Sequence, residues 1–414
     1  AMGGRGGWPL TVFLTPDLHP FWGATYFPKD QFLSILGQIS NIWITEPDAI
    51  TESSMQLRKH LESQSNLTKG STPLDETILQ FAYDQFSASF DHQFGGFGKA
   101  PKFPPSMGLQ ILLRIHHRTG DSQPLKLVEK TLDRMAQGGM YDHLGGGFHR
   151  YSTDDQWLVP HFEKMLYDNA LLAWTYLEAY QVTGKEMYSD IVHGILNYVL
   201  REMTDEQGGF YSAQDAGEIG EEGIFYLWSK EELKQHLTTE EWALFEKVYG
   251  ITESGNVEGG RNVLALQEEY NWKIKEHSLI ESAHDKLMMA RSQRSALFKD
   301  DKILTAWNGL MIATMAKAYQ VLGEKTYLHA AQQATQFLKQ HLTSNGKLLR
   351  RFREGEAAFN GYLDDYSYLI AGLLALYEAD FDSAWIDWAR ELQTKQDEIF
   401  WDAQLGAYYY SRAD

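Results

Sequence analysis

Residues 138–169 read GGMYDHLGGGFHRYSTDDQWLVPHFEKMLYDN and combine a glycine run with histidines, carboxylates, an arginine and tyrosines. The sequence contains no other window so dense in groups that can perform acid–base chemistry. Proline is favoured in the first turn of a helix, so Pro160 predicts a helix over 161–183. The stretch therefore predicts a glycine-rich loop that leads into a helix, with reactive side chains at the junction.

The glycine run belongs to a pattern that recurs along the chain. The segment DHLGGGF, which begins at Asp142, has counterparts that begin at Asp91, Asp205 and Asp402, and a weaker one at Ser344. Each copy follows a long helical pattern, and the spacing of about 50 to 60 residues between some copies suits one helix–loop–helix unit. Units of this size bury their apolar faces by stacking on one another.

Apolar periodicity separates inner helices from outer ones. Three predicted helices are apolar around most of their circumference and should be buried: 161–183, 303–323 and 362–380. Two others, 185–203 and 325–342, carry a polar face and should lie outside. The alternation predicts a mainly α fold, an incomplete (α/α)6 toroid with about four hairpins and a further outer helix at 383–400.

Two segments depart from this helical pattern. Residues 10–14 and 22–27 predict two strands around a turn, followed by helices near 29–43 and 47–65. We therefore predict an α/β domain over 1–66 and the toroid over 73–414. Residues 205–300 predict an insertion that contains a strand pair, 209–213 with 224–228. The fold signals run to both ends of the sequence, so we expect a longer protein.

Composition narrows the classes of function. The 414 residues carry a net charge of −19, and an acidic chain repels nucleic acid backbones. The chain has no cysteine, which excludes disulfides, thiol catalysis and zinc–thiolate sites within it. No apolar run reaches the roughly 18 residues of a membrane span, and no signal peptide is visible. We expect a cytoplasmic protein without membrane contact and without a metal or other cofactor.

The longer motifs resemble those of the spermatogenesis-associated-protein-20-like, YyaL-type thioredoxin-domain-containing family. The resemblance rests on residues 138–169 and on five further segments: GGWPLTVFLTPDLHPFWGATYFP, GGFGKAPKFPP, GGFYSAQDA, DDKILTAWNGLMI and LDDYSYLIAGLL. It implies the second half of a thioredoxin-like domain followed by a six-hairpin toroid similar to sugar 2-epimerases and six-hairpin glycosidases. Pro9 stands where thioredoxin folds carry a cis-proline. The family's Cys-x-x-Cys helix is absent, so the chain has no thiol redox role, and we expect its thioredoxin-like part not to be stable alone.

Candidate site residues cluster near the amino ends of the inner helices. Four residues are predicted to be catalytic: His161, His143, Asp215 and Asp364. Ten others are predicted to bind the substrate: Asp142, His149, Arg150, Tyr151, Asp168, Trp228, Trp307, Asn308, Asp365 and Tyr366. Carboxylates hydrogen-bond to hydroxyls and aromatic rings stack on apolar faces, so we predict a small-molecule pocket of sugar size.

Each assignment has a structural alternative. His161 and Asp168 are predicted to share a helix face as a general base and its orienting carboxylate, or else to tie the loop to the helix. Asp142 stands where aspartate caps turns, Asp301 is predicted as a helix N-cap, and the pair that begins at Asp364 suits a helix start.

Two kinds of sugar chemistry fit these residues. Glycoside hydrolysis needs two carboxyl groups, such as those of Asp142, Asp215 and Asp364. Epimerisation needs two bases, such as His143, His149 and His161. We therefore expect a carbohydrate-active protein of the epimerase, isomerase or glycosidase type. The alternative is a non-catalytic module that presents clients to a thioredoxin-like domain.

Overall fold

A computed structural model describes Gly7 and residues 9–65, 75–218 and 220–411. The chain divides into two compact units, Ala1–Pro73 and Leu74–Asp414. The peptide bond before Pro9 involves Trp8, which lies outside the described residues, as does most of the stretch between the two units.

The first unit contains the predicted strand pair and two helices. Strands β1 (Thr11–Leu14) and β2 (Pro20–Ala24) are antiparallel, and helices α1 (Lys29–Thr45) and α2 (Pro47–Ser65) follow. Helix α2 is joined to β2 by a hydrogen bond of 2.9 Å from the Ser53 hydroxyl to the carbonyl of Phe21.

The second unit is mainly helical. Its helices are α3 (Thr77–Ser89), α4 (Ser106–Thr119), α5 (Ser122–Gln137), α6 (Leu166–Thr183), α7 (Glu186–Glu202), α8 (Lys230–His236), α9 (Thr239–Val248), α10 (Ser278–Ser292), α11 (Thr305–Leu322), α12 (Lys325–His341), α13 (Leu363–Asp380) and α14 (Ser383–Phe400). Its strands are β3 (Tyr151–Ser152), β4 (Pro160–His161), β5 (Lys164–Met165), β6 (Ala213–Gln214), β7 (Lys299–Asp300), β8 (Ile303–Leu304), β9 (Thr343–Ser344), β10 (Lys347–Arg353), β11 (Glu356–Asn360), β12 (Trp401–Asp402) and β13 (Ala407–Tyr408).

Helices α4, α6, α11 and α13 are the inner helices, and α11 packs against both α6 and α13. Helices α3, α5, α7, α12 and α14 alternate with them along the chain. Residues from both sets share one apolar core. Helices α6 and α11 end where Gly184 and Gly323 adopt positive φ angles of 68° and 80°, a conformation that glycine reaches without steric cost. This is the (α/α)6 toroid architecture, with four hairpins and the outer helix α14 among the described residues.

Small sheets connect the segments that precede the inner helices. Strand β5 pairs with β6, and β6 pairs with β7. These pairings connect the segment that precedes α6 with the segment that precedes α11. Strand β8, which precedes α11, pairs with β10 of the hairpin that precedes α13. A β-bridge between Lys102 and Ser152 connects the segment that precedes α4 with strand β3. The amino ends of the four inner helices therefore lie at one rim of the unit.

The repeated Asp–Gly segments form closed turns after outer helices. The carbonyl oxygens of Asp91, Asp142 and Asp402 each accept a backbone hydrogen bond from the glycine four residues later. The Asp205 carbonyl accepts from the glycine three residues later, because its copy is one residue shorter. The side chain of Asp142 also accepts from the backbone N–H groups of residues 144 and 145. The prediction that aspartate caps these turns is confirmed.

Three local predictions are wrong. His161 lies in β4, and the helix begins at Leu166, because Pro160 and His161 pair with β3 before the chain reaches a helical conformation. The strand pair of 209–213 with 224–228 does not form, since β6 pairs with β5 and β7 while residues 222–226 make turns. Asp301 is not an N-cap, because α11 begins at Thr305.

The inserted segment has its own apolar core and a buried ionic connection to the toroid. Helices α8 and α9 pack with α10 around residues such as Phe245, Ile280 and Leu287. From α10, the Arg291 guanidinium reaches the carboxylate of Asp142 at 2.8 Å, with both side chains 5% exposed.

Candidate functional site at the amino ends of the inner helices

The rim before α6 contains a cluster of charged side chains. Backbone hydrogen bonding from Arg150 N–H to the Glu163 carbonyl, 2.9 Å, holds the two segments together. The Arg150 Nη1 also lies 2.9 Å from Glu163 Oε2. The pairing of β3 with β4 thus places the Arg150 side chain beside the carboxylate just before α6.

His161 joins this cluster from β4. Its Nε2 lies 3.1 Å from Glu163 Oε2 and its Nδ1 lies 3.7 Å from Glu222 Oε2. Hydrogen bonds from His161 and Arg150 lower the pKa of Glu163 against the opposing effect of burial. Glu163 is therefore an ionised carboxylate at neutral pH.

The pKa of Asp168 is shifted in the opposite direction to that of Glu163. Asp168 lies in the first turn of α6, and burial raises its pKa to about 7, although the Arg150 charge and a hydrogen bond from Tyr167 act in the other direction. Among the described residues, its buried Oδ2 has no hydrogen-bond partner, and the same holds for the buried Nε of Arg150. The cluster thus contains one unsatisfied acceptor and one unsatisfied donor.

Aromatic rings flank the charged cluster. Tyr151 stacks on the His161 ring, with centroids 5.0 Å apart, and also contacts Phe103 at 4.7 Å. Tyr167 of α6 contacts Trp307 of α11 edge-to-face at 4.8 Å. Of the predicted binding residues, Arg150, Tyr151, Asp168 and Trp307 therefore lie in or beside the cluster that contains His161.

Asp364 and Asp365 occupy the first turn of α13, as predicted for a helix start. Asp365 is fully buried and accepts hydrogen bonds from the backbone N–H of Tyr362 at 2.8 Å and of Ala306 at 3.0 Å. Burial raises the Asp365 pKa to about 6. Arg350 lies 3.4 Å from Asp364 and 3.0 Å from Asp365. This group links the amino ends of α11 and α13.

Asp142 lies in a buried ionic cluster instead of at the rim. Its Oδ2 is 2.7 Å from Lys164 Nζ, and its Oδ1 is 2.8 Å from the Arg291 guanidinium. Burial alone would raise the Asp142 pKa, but the charges of Arg291 and Lys164 outweigh it and hold the pKa well below its usual range. The structure favours a structural role for Asp142 over the predicted substrate-binding role, because all of its oxygens accept hydrogen bonds from other groups of the protein.

His143 and His149 are also interior residues, 5% and 1% exposed. Burial lowers the pKa of both imidazoles, that of His149 to about 3, so both are neutral. Together with Asp142 they line a small pocket of about 10 Å³, which is the volume that a single water molecule needs. Because both imidazoles are buried and this pocket is too small for a sugar, the structure does not support their assignment to a sugar pocket.

Four other predicted residues lie elsewhere. Asp215 lines a separate groove of about 1000 Å³ beside the insertion. Trp228 is buried in the core of the insertion, where the Arg294 guanidinium stacks on its ring at 3.8 Å. Asn308 is buried and bonds to the backbone of Phe210. Tyr366 is 1% exposed, and its hydroxyl accepts from the Leu348 N–H. Trp228, Asn308 and Tyr366 are therefore packing residues.

Sequence reasoning missed Glu163, Tyr167 and Arg350. For Glu163 a signal existed, because residues two positions apart in an extended segment face the same side, and His161 precedes it by two. Arg350 had no local signal, since its hairpin meets the start of α13 only in the folded chain.

Among the described residues, no three histidine or acidic side chains converge in a way that could hold a metal ion. In the same part of the chain, no helix is long and apolar enough to cross a membrane.

The fold and the rim place the second unit in the class of (α/α)6 toroid proteins. Residues 1–62 match the family model Thioredox_DsbH, described as a protein of unknown function, DUF255. Along 99% of its length the chain is 38% identical to human spermatogenesis-associated protein 20. The resemblance to the spermatogenesis-associated-protein-20-like family is thereby confirmed. The chain spans 59% of the length of that relative.

Two sugar-active proteins are also similar to parts of the chain. Cellobiose 2-epimerase of Bacteroides fragilis is 26% identical over 141 residues, which is 34% of this chain and 32% of that protein. The structure of a GH76 α-mannanase from Bacteroides thetaiotaomicron matches 81% of this chain and 72% of its own, with 14% identity and a TM-score of 0.49.

Proposed function

We propose that the helical unit binds a sugar at the rim and transfers a proton to it from Asp168. The observation that carries the proposal is that two buried atoms, Arg150 Nε and Asp168 Oδ2, have no hydrogen-bond partner among the described residues. Each such atom costs on the order of 1–3 kcal/mol when it is left without a partner. The two residues are half-buried, and a sugar hydroxyl, which both donates and accepts a hydrogen bond, would be a suitable partner for either atom.

The protonation states of the two carboxyl groups favour glycoside hydrolysis. That reaction uses one carboxylic acid to protonate the leaving oxygen and one carboxylate to act on the sugar carbon or on a water molecule. Neighbouring carboxyl groups with pKa values shifted apart indicate such a division of roles. Asp168, with a pKa raised to about 7, is the acid, and Glu163, with a lowered pKa, is the carboxylate.

The surrounding groups suit a neutral, ring-shaped substrate. The Tyr151, Trp307 and Phe103 rings offer apolar faces beside the acid, and aromatic faces are a usual lining of small-molecule pockets. Arg150 and His161 offer hydrogen-bond donors. Asp364 remains a proposed outer contact, because Arg350 and Tyr410 already bond to it at 3.4 and 3.3 Å.

Epimerisation is the second candidate, because the chain is similar to a cellobiose 2-epimerase over a third of its length. Epimerisation needs two bases on opposite faces of the sugar carbon. His143 and His149 are buried in the interior, so only His161 among the three predicted histidines is available at the rim. Glycoside hydrolysis therefore fits the rim better.

The experiment separates these reactions by their products. The full chain is incubated in D₂O with cellobiose and, separately, with α-1,6-mannotriose, and proton NMR follows the sugars. Hydrolysis produces new reducing-end signals, whereas epimerisation replaces the hydrogen at carbon 2 with deuterium. The change Asp168→Asn should lower the hydrolysis rate by about a hundredfold or more, as expected for loss of a general acid.

Asp285→Asn is the matched control, since Asp285 is an exposed carboxylate of α10. It should leave the rate unchanged. If both variants react as fast as the wild-type chain, Asp168 is not the acid. If the wild-type chain binds neither sugar by NMR, the non-catalytic client-binding alternative replaces the enzyme.

A further inference from the structure

A groove of about 1000 Å³ lies beside the inserted segment, and the proposed sugar chemistry does not use it. Its walls are the segment that follows β6, the segment that precedes β7 and the first turn of α8. The Asp215 N–H donates to the Phe298 carbonyl at 2.9 Å, which joins two of these walls. The volume is at the upper end of the range for small-molecule pockets, so the groove has room for an extended chain segment.

One arginine fixes the wall between residues 224 and 227. The Arg294 guanidinium donates to three backbone carbonyl oxygens of this segment at 2.7 to 3.0 Å. It also lies 2.6 Å from a carboxylate oxygen of Glu232 in α8. A wall that is already held in place loses little conformational freedom when a ligand binds, so the groove is preorganised.

The lining of the groove is acidic. Carboxylates outnumber guanidinium groups there by five to two, and Arg294 already pairs with Glu232. Arg261 and the remaining four carboxylates form no ion pair within the described part of the chain; these carboxylates belong to Asp215, Glu218, Glu221 and Glu231. A cleft lined mainly by one sign of charge concentrates ligands of the opposite sign. The groove therefore favours a cationic ligand.

Apolar side chains share the lining with these carboxylates. Phe298 is 63% exposed and Ile224 is 38% exposed, and Phe225 and Leu297 lie in the same groove. Grouped apolar side chains on a surface are typical of a binding site for a partner. A small cation would leave these side chains in water, and the described carboxylates do not converge as a metal site requires. A chain that carries both basic and apolar groups would cover both kinds of lining.

We propose that this groove binds an extended peptide segment in which lysine or arginine residues are interspersed with apolar ones. The basic side chains of the peptide pair with Glu218, Glu221 and Glu231, and its apolar side chains cover Phe298 and Ile224. Main-chain groups of an extended peptide remain free to bond to the groove walls, as in other modes of peptide recognition.

Fluorescence anisotropy with the full chain tests the proposal. The probe is a fluorescein-labelled peptide in which lysine residues are interspersed with leucine, and the control peptide has glutamine in place of each lysine. We expect only the lysine peptide to bind, and more weakly as the NaCl concentration rises from about 50 to about 500 mM, because salt screens exposed charges. Absence of binding, or equal binding of the two peptides, would overturn the proposal.

Spermine separates a peptide site from a polyamine site. It carries several amines but no apolar side chains, so it should displace the labelled peptide only at concentrations at least about tenfold above those of unlabelled peptide, since apolar burial adds to affinity. Displacement at equal concentrations would overturn the peptide assignment and make the groove a polyamine site.

A triple variant tests the carboxylates directly. The changes Glu218→Gln, Glu221→Gln and Glu231→Gln replace exposed side chains by neutral ones of the same size. Each exposed ion pair contributes a modest amount to binding, so we expect the three changes together to weaken peptide binding by about tenfold. Asp215 is left unchanged, because its carboxylate accepts from the Gly217 N–H at 3.1 Å.

The matched control removes the same number of charges elsewhere. Its changes lie at exposed helix positions outside the groove: Glu240→Gln, Glu281→Gln and Glu391→Gln. We expect peptide binding to stay within about twofold of that of the wild-type chain. An equal loss of affinity in the two triple variants would mean general attraction to an acidic chain and would overturn the site.

Two single variants complete the test. Phe298→Ser removes an exposed ring and should weaken peptide binding severalfold without a change in the unfolding midpoint, and unchanged affinity would overturn the apolar part of the proposal. Asp168→Asn should leave peptide binding unchanged, so this test and that of the proposed sugar chemistry can fail separately.

Discussion

Two carboxyl groups at the rim differ in protonation because their partners differ. Glu163 has His161 and Arg150 as hydrogen-bond donors, so its charged form is stabilised. The Oδ2 atom of Asp168 is buried and has no hydrogen-bond partner in the described part of the chain, and burial favours the neutral form of this carboxyl group. Asp168 follows Glu163 by five positions, yet the two groups suit opposite steps of acid–base catalysis.

The free energy of unfolding should depend on pH differently in the wild-type chain and in the Asp168→Asn variant. The folded pKa of Asp168, about 7, lies above the unfolded value of about 3.9. Between these values the unfolded chain releases a proton that the folded chain keeps, so the wild-type chain loses stability as pH rises. Asp168→Asn does not titrate and should gain in relative stability by up to about 1.4 kcal/mol per pH unit over this range.

Urea unfolding at several pH values from 4 to 8 measures this difference. Asp285→Asn should show a constant difference from the wild-type chain. A constant difference for Asp168→Asn as well would mean that its carboxyl group is solvated in the folded state.

The buried Asp142 cluster should be among the most sensitive sites in the second unit. Asp142→Asn leaves Lys164 and Arg291 buried without their counter-charge, and removal of one partner from a buried ion pair costs about 3–5 kcal/mol. Asp91→Asn is the comparison, since Asp91 faces a single lysine, Lys102, and is 18% exposed at its side chain. Chemical denaturation should show the larger loss for Asp142→Asn, and equal losses would contradict the role of the second cation.

At the level of elements, the inner helices α6 and α11 are attached to the preceding turns by the same device. Asn169 accepts from the Phe148 N–H at 2.8 Å and donates to its carbonyl at 3.1 Å. Asn308 does the same for Phe210, at 2.8 and 2.9 Å. Each asparagine is the fourth residue of its helix. In these two copies of the repeat, the asparagine side chain therefore connects the turn to the first turn of the inner helix.

Asn308→Ala should destabilise the second unit by about 2–4 kcal/mol, because it leaves the buried N–H and carbonyl of Phe210 without partners. Asn197→Ala on the exposed side of α7 is the control and should change the free energy of unfolding little. Urea denaturation followed by tryptophan fluorescence gives both values. A similar small effect in both variants would show that water replaces the Asn308 amide.

At the scale of the whole molecule, the two units differ in how much apolar surface they bury. In the described part of the first unit, the buried hydrophobic side chains are those of Phe21 and Ile50. We propose that residues 1–73 do not fold alone, since small chains bury too little surface to offset the loss of chain entropy. Far-UV circular dichroism of that peptide should show no cooperative thermal transition. A sigmoidal transition would establish an independent domain.

The toroid could be predicted from the sequence because its signals are local. Apolar residues around most of α6, α11 and α13 indicated burial, and these helices are the inner ones. The Asp–Gly repeat marked the turns before inner helices. The start of α6 was misplaced by five residues, because the two short strands before it form only by pairing with distant segments.

The sequence by itself determined the helical periodicity, the repeat and the charged character of residues 138–169, since each depends on neighbours along the chain. The tertiary structure alone decided which of those charged residues are buried. It placed Asp142, His143 and His149 in the interior, where Asp142 pairs with Arg291 of a distant helix. At the rim it left Arg150 Nε and Asp168 Oδ2 without a hydrogen-bond partner among the described residues. Burial and charge pairing depend on contacts between remote segments, and these contacts set the protonation states on which the proposed chemistry depends.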